Sequence, residues 1–116
     1  MGQTETTDGE TSILAVVVHL FGLFYSVVGA GIVYLLASDE FTKTNARNAL
    51  NWHIFFLVVA TILGGLALAG LGGALGALLV LGVGVLVLLD TAFCIWATYK
   101  AVDGTAWTYP IAPEFV

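Results

Sequence analysis

The 116 residues are 59% hydrophobic and only 9% charged, with a mean hydropathy of +1.01, whereas an ordinary soluble domain is about 45–50% apolar and about 25% charged. A small domain leaves much of its area exposed, so this composition excludes a water-soluble fold and makes lipid the solvent. Three basic residues against eight acidic ones, a net charge of −5, exclude nucleic acid as a partner and exclude a polybasic segment that reads anionic lipid.

Residues 1–12, with Thr4, Glu5, Asp8 and Glu10, are too polar to pack. They read as a disordered acidic tail, of the kind a halophile's surface carries. The apolar run from Ile13 to Ala37 is long enough to cross a bilayer with some tilt, and the acidic residues before it do not suit a signal peptide. A polar loop follows, and Thr44 or Asn45 is placed to cap the next helix. From Ile54 to Leu89 there is no charge; as one helix this stretch would reach about 54 Å, against a hydrocarbon core of about 30 Å. It must fold back, and glycine supplies the positive φ that a tight turn near Gly70–Gly73 needs. The expectation is an all-α integral membrane protein with three transmembrane helices, at about 13–37, 48–69 and 75–98, and a Gly-rich helical hairpin between the second and third. Residues 13–99 form the transmembrane domain, and residues 100–116 form an interfacial tail whose two prolines forbid a continuous helix.

With three spans, Lys43, Arg47 and Lys100 fall on one side, and Glu5, Asp8 and Glu10 on the other, together with the glycine turn. The positive-inside rule then gives a prokaryotic plasma-membrane protein with its N-terminus outside and its C-terminus cytoplasmic. Trp52, Trp96, Tyr99, Trp107 and Tyr109 gather at the cytoplasmic boundary, where an aromatic belt belongs.

Asp90 is the most informative residue. On the expected third span it lies about 12 Å inside the cytoplasmic end, where a charge must find partners or take up a proton. The matching depth on the second span is near Asn51 and His53, with Arg47 reaching in from the boundary. Asp90, His53, Asn51 and Arg47 therefore form the candidate intramembrane polar site, either a clamp between spans or a proton or cation site. His19, expected on the outer half of the first span with no carboxylate at its depth, is expected to bond a backbone carbonyl or line an interface. His19, His53 and Cys94 are expected at different depths, so no metal site is expected; Cys94 reads as a packed thiol. Gly22, Ser26 and Ala30, and likewise Gly72 and Gly76, form small-residue faces that let helices approach closely.

Two stretches carry a resemblance. Ala46-Arg47-Asn48-Ala49-Leu50-Asn51-Trp52-His53 resembles a signature written his-ala-x-x-ala-leu-asn-phe-gln. Ala97-Thr98-Tyr99-Lys100-Ala101-Val102-Asp103-Gly104, followed by Tyr109-Pro110, resembles the ending ala-x-lys-ala-x-x-gly … tyr-pro. With His19-Leu20 at the entry to the first span, the chain resembles a prokaryotic membrane family of uncharacterised function. That family is distantly related to the channel-forming subunit of the chloroplast inner-envelope import translocon (Tic). His53 stands where that family commonly has glutamine, and Asn45 or Ala46 where it has histidine. The resemblance implies a polytopic membrane protein and brings no reaction with it.

No nucleotide-binding, hydrolase or metalloprotease signature is present in the sequence, so neither an enzyme nor a cofactor is expected. The expected function is that of a scaffold or accessory subunit of a membrane assembly, through self-association or contact with another membrane protein. The alternative is a homo-oligomeric channel or transporter with its polar site at Asp90, His53 and Asn51. A phage-type holin fits the span count but would carry a basic tail, which this chain lacks.

Overall fold

The computed structural model describes residues 13–70 and 72–116; the acidic tail expected at residues 1–12 lies outside them. The chain is all-α, with helices α1 (Gly2–Leu36, described from Ile13), α2 (Glu40–Leu68) and α3 (Gly73–Val102). All three are long and apolar enough to cross a membrane, in agreement with the three-helix architecture expected from composition.

The helix ends have local causes. α2 starts earlier than expected, because the Asp39 side chain accepts from the Thr42 amide at 2.9 Å and caps the helix there. Thr44 and Asn45, the expected caps, are thereby placed inside α2. The α2–α3 turn falls at the expected glycines, with Gly70 and Gly73 at φ +86° and +68°. α3 ends in a Schellman motif: Gly104 sits at φ +88°, its amide bonds the Ala101 carbonyl, and the Thr105 amide bonds the Lys100 carbonyl at 2.8 Å.

The path of α1 departs from expectation. Ser26 breaks the helix with φ 54° and ψ −133°, near the first central position of a type II′ turn, which favours glycine. The two halves of α1 then fold against each other, so closely that a Cβ on Gly29 would collide with the Phe21 carbonyl oxygen. Residues eight apart in a straight helix would stand about 12 Å apart along its axis. After the break, α1 runs antiparallel to α2: Gly31 stands by Leu50, and the Lys43 ammonium lies 4.6 Å from the Tyr34 ring centroid. Before the break it runs the other way, with His19 beside Asn45 and Gly22 beside His53. Ile13, Val16 and Val17 consequently share a groove with Val102 at the end of α3. The expectation that the first span starts, at Ile13, beside the glycine turn is therefore corrected. An apolar run reports its length and not its direction, and Ser26 reverses it.

This fold-back divides the molecule into two tiers. The doubled α1, the first half of α2 and the last half of α3 enclose the core: Val18, Ala30, Val33, Ala46, Ala49, Trp52, Cys94 and Ala97 are all buried. Among the described residues, none between positions 54 and 85 is buried. That part of the α2–α3 hairpin stands clear, with Leu68, Leu78, Val80 and Leu81 more than half exposed.

Ser26 also has a buried hydroxyl with no hydrogen-bond partner among the described residues. Glycine would relieve both the positive φ and the orphan oxygen. Ser26→Gly is expected to stabilise the protein by about 1 kcal/mol, measured by denaturant unfolding in detergent micelles. Destabilisation would mean that Ser26 contributes a contact this geometry does not contain.

Candidate functional site

Three helical stripes converge in the enclosed tier. α2 turns Thr42, Asn45, Ala49, Trp52 and His53 inward, α3 turns Leu86, Asp90, Cys94, Ala97 and Ala101 inward, and the first half of α1 adds Ala15, Val18, His19 and Gly22. Each stripe follows the three- and four-residue steps of a helix face. Small residues among them let the backbones approach: a Cβ on Gly22 would lie 2.9 Å from His53 Nδ1 and would overlap Cε1. The polar side chains of all three stripes meet in this space.

Asp90 is the node. Its Oδ1 accepts from Trp52 Nε1 at 2.7 Å, lies 3.3 Å from His53 Nε2 and lies 3.5 Å from Cys94 Sγ. His53 Nδ1 stands 2.7 Å from the Ala49 carbonyl. A carbonyl only accepts, so Nδ1 carries a proton and Nε2 is turned toward the carboxylate and the thiol. The expected pairing of Asp90 with His53 is thus present, and Trp52 completes it. Asp90 is only 6% exposed and His53 1%, so the cost of an acid at this depth is met inside one chain.

A second branch runs through His19. Asn45 Nδ2 donates to the Phe41 carbonyl, which leaves its Oδ1 to accept from His19 Nε2 at 2.9 Å. His19 Nδ1 then accepts from the Tyr109 hydroxyl at 2.7 Å. That hydroxyl also lies 3.8 Å from Cys94 Sγ, so the thiol joins the two branches. Burial first of all, then the neighbouring Cys94 and Asp90, push the Tyr109 hydroxyl well above its ordinary range, and it remains protonated and able to donate. His19 bonds two side chains rather than the expected backbone carbonyl, because the fold-back carries it to the level of Asn45.

The remaining expected site residues take other roles. Asn51 does not reach Asp90. Its Oδ1 accepts from the amides of Phe115 and Val116, both at 2.9 Å, while Asn48 Nδ2 donates to the Trp107 carbonyl at 3.1 Å. Arg47 makes no hydrogen bond or ion pair among the described residues. Asn48 and Asn51, three residues apart along α2, give the tail the polar partners that a proline-containing segment cannot find in itself. The tail therefore folds into the bundle. Tyr109 is 2% exposed and stacks on Trp52 with the ring planes 13° apart, flanked by Phe93 and Trp107. Of the expected aromatic belt, Trp96 and Tyr99 keep exposed rings, whereas Trp52 and Tyr109 belong to the core.

Sequence reasoning missed Cys94, Tyr109 and Trp52 as members of this cluster. His53 and Cys94, expected at different depths, stand 3.7 Å apart. Asp90 and Cys94 are one helical turn apart on α3, so the depth that matches His53 to Asp90 also matches it to Cys94. Among the small-residue positions, Gly22 and Ala30 are buried, Ser26 is the break, and a Cβ on Gly72 would meet nothing within 4 Å.

Residues 10–116 match the family model of the magnetosome magnetite crystal formation protein family. No match was found among curated proteins or solved structures. The family match agrees with the expected prokaryotic small-membrane-protein family and does not extend to the import translocon.

Proposed function

Because this chain belongs to the magnetosome magnetite crystal formation protein family, we propose that it is an accessory subunit of the magnetosome membrane that acts by helix association rather than by catalysis. One observation carries the reading. The outer half of the α2–α3 hairpin has glycines, Gly64, Gly65 and Gly84, at which an added Cβ would meet nothing within 4 Å. Glycine is a poor helix former, costing about 0.8–1.0 kcal/mol relative to alanine. Three of them at positions where an added Cβ meets nothing among the described residues favour close approach by another transmembrane helix, which small residues permit in lipid. The channel reading has less support, because Asp90 and His53 are enclosed within one chain and not presented to a face that copies would share.

The enclosed tier carries Lys43, Arg47 and Lys100, and both Ile13 and Val102 stand at that end. By the positive-inside rule this end faces the cytoplasm and the glycine turn faces the opposite side. The described start of the first span, at Ile13, would then share the cytoplasmic face with the end of α3.

The test is Gly64→Leu combined with Gly65→Leu. The space around both positions is open, so the monomer's unfolding midpoint is expected to stay unchanged or rise slightly. Crosslinking in native membranes is expected to lose discrete adducts that the unaltered protein forms. An adduct pattern identical in both proteins would remove the glycine faces from the assembly. Absence of any adduct in the unaltered protein would remove the accessory role.

A further inference from the structure

His53, Asp90 and Cys94 bring one imidazole nitrogen, one carboxylate oxygen and one thiol sulfur together in the buried tier. His53 Nε2 and Asp90 Oδ1 face each other at 3.3 Å. With the Nδ1 proton committed to the Ala49 carbonyl, two electron-pair donors are opposed unless a cation sits between them. The third edge is a thiol, and the three potential donor atoms are separated by 3.3 Å (N–O), 3.5 Å (S–O) and 3.7 Å (S–N). Ligands at about 2.0–2.3 Å from a tetrahedral ion stand about 3.3–3.8 Å from one another, with the sulfur edges the longer ones. The lengths and their order both agree.

We propose that His53 Nε2, Asp90 Oδ1 and Cys94 Sγ form a three-ligand site for a divalent first-row transition metal. The donor set is one imidazole, one carboxylate and one thiolate. It suits borderline ions such as Zn²⁺, Co²⁺ or Fe²⁺, and it disfavours Mg²⁺ and Ca²⁺, which take oxygen ligands. The supporting contacts are those that metal sites use: the Ala49 carbonyl fixes the His53 tautomer and ring orientation, and the Trp52 indole N–H orients the carboxylate. Binding would release the Cys94 thiol proton to solvent and leave the thiolate as ligand. The Tyr109 ring closes the site on the tail side. A cavity of about 50 Å³ lined by Asn48, Asn51, Tyr109 and Glu114 lies on the tail side of that ring. The proposal is independent of the assembly reading, since the three ligands belong to one chain and need no partner.

The experiment uses the full-length protein in detergent micelles, with any purification tag removed, titrated with Co²⁺. The expected result is one equivalent bound, with a thiolate-to-cobalt charge-transfer band and the intense visible bands of tetrahedral cobalt, both abolished by one equivalent of Zn²⁺. Cys94→Ser is expected to lose the charge-transfer band and to weaken cobalt binding about ten-fold or more, while circular dichroism stays helical. Should that variant misfold, Trp52→Phe keeps all three ligands and an aromatic ring while removing the supporting N–H, and it is expected to retain the band with weaker binding. A folded, unaltered protein that shows no thiolate–cobalt band at equimolar metal would overturn the proposal and leave a proton as the shared cation. The same band in a folded Cys94→Ser variant would overturn it as well.

Discussion

Gly29→Ala is expected to undo the fold-back of α1. The new Cβ would overlap the Phe21 carbonyl oxygen and lie 2.8 Å from the carbonyl carbon. Both are backbone atoms, so no rotamer change relieves the clash, and the two halves of α1 must part. Overpacking costs about 1–3 kcal/mol where side chains can yield, and here the expected loss is about 3 kcal/mol or more. That is a large share of the roughly 5–15 kcal/mol that holds an ordinary folded domain. Parting the halves also withdraws His19 from Asn45 and Tyr109, so the helical bundle and the polar cluster should fail together. Gly31→Ala is the internal control: its Cβ would meet only Leu50 Cδ1 at 4.0 Å, and its effect should stay within about 0.5 kcal/mol. Chemical denaturation in micelles, followed by tryptophan fluorescence, reads both. Equal stability in the two variants would mean that the close approach at Gly29 does not hold α1 in its folded-back path.

The second large effect belongs to Tyr109. Tyr109→Ala removes a ring that stacks on Trp52 and packs against Phe93 and Trp107. Truncating a buried aromatic to alanine costs about 3–5 kcal/mol, and the loss should free the tail from the asparagines of α2. Tyr109→Phe keeps the stack and deletes only the hydroxyl that donates to His19 Nδ1. Leaving that buried nitrogen without its donor is expected to cost about 1–3 kcal/mol. The two variants are separated by thermal unfolding combined with limited proteolysis of the tail. If phenylalanine proves as damaging as alanine, the hydrogen bond outweighs the packing. If neither is damaging, the tail is not part of the core.

Much of the candidate site was legible in the sequence, for a reason that can be traced residue by residue. Asp90 is an acid in an apolar run, so it needs a partner, and the constant rise of a helix puts His53 at its depth on the facing span. The same arithmetic applied to Cys94, one turn along the same face, would have brought in the thiol. Asn51 and Arg47 were at a suitable depth, but depth does not determine azimuth. Asn51 points to the tail amides of Phe115 and Val116 instead. The sequence places Tyr109 at the membrane surface, because a ring near two prolines fits an interfacial anchor as well as it fits a core residue. Its partner His19 is ninety positions away, and no periodicity connects them.

From sequence alone followed the lipid solvent, the all-α class, three helices of membrane-spanning length, the glycine turn and the meeting of Asp90 with His53. Composition and the fixed geometry of a helix are local or additive properties, and these conclusions need nothing else. The tertiary structure alone decided the direction of α1 and the seat of the tail, and with them the company of His19, Cys94 and Tyr109. The first depends on a single backbone conformation at Ser26 and a close approach at Gly29, which an apolar run does not announce. The second depends on polar pairings such as Asn48 with Trp107, fifty-nine residues apart, which exist only after the helices have packed.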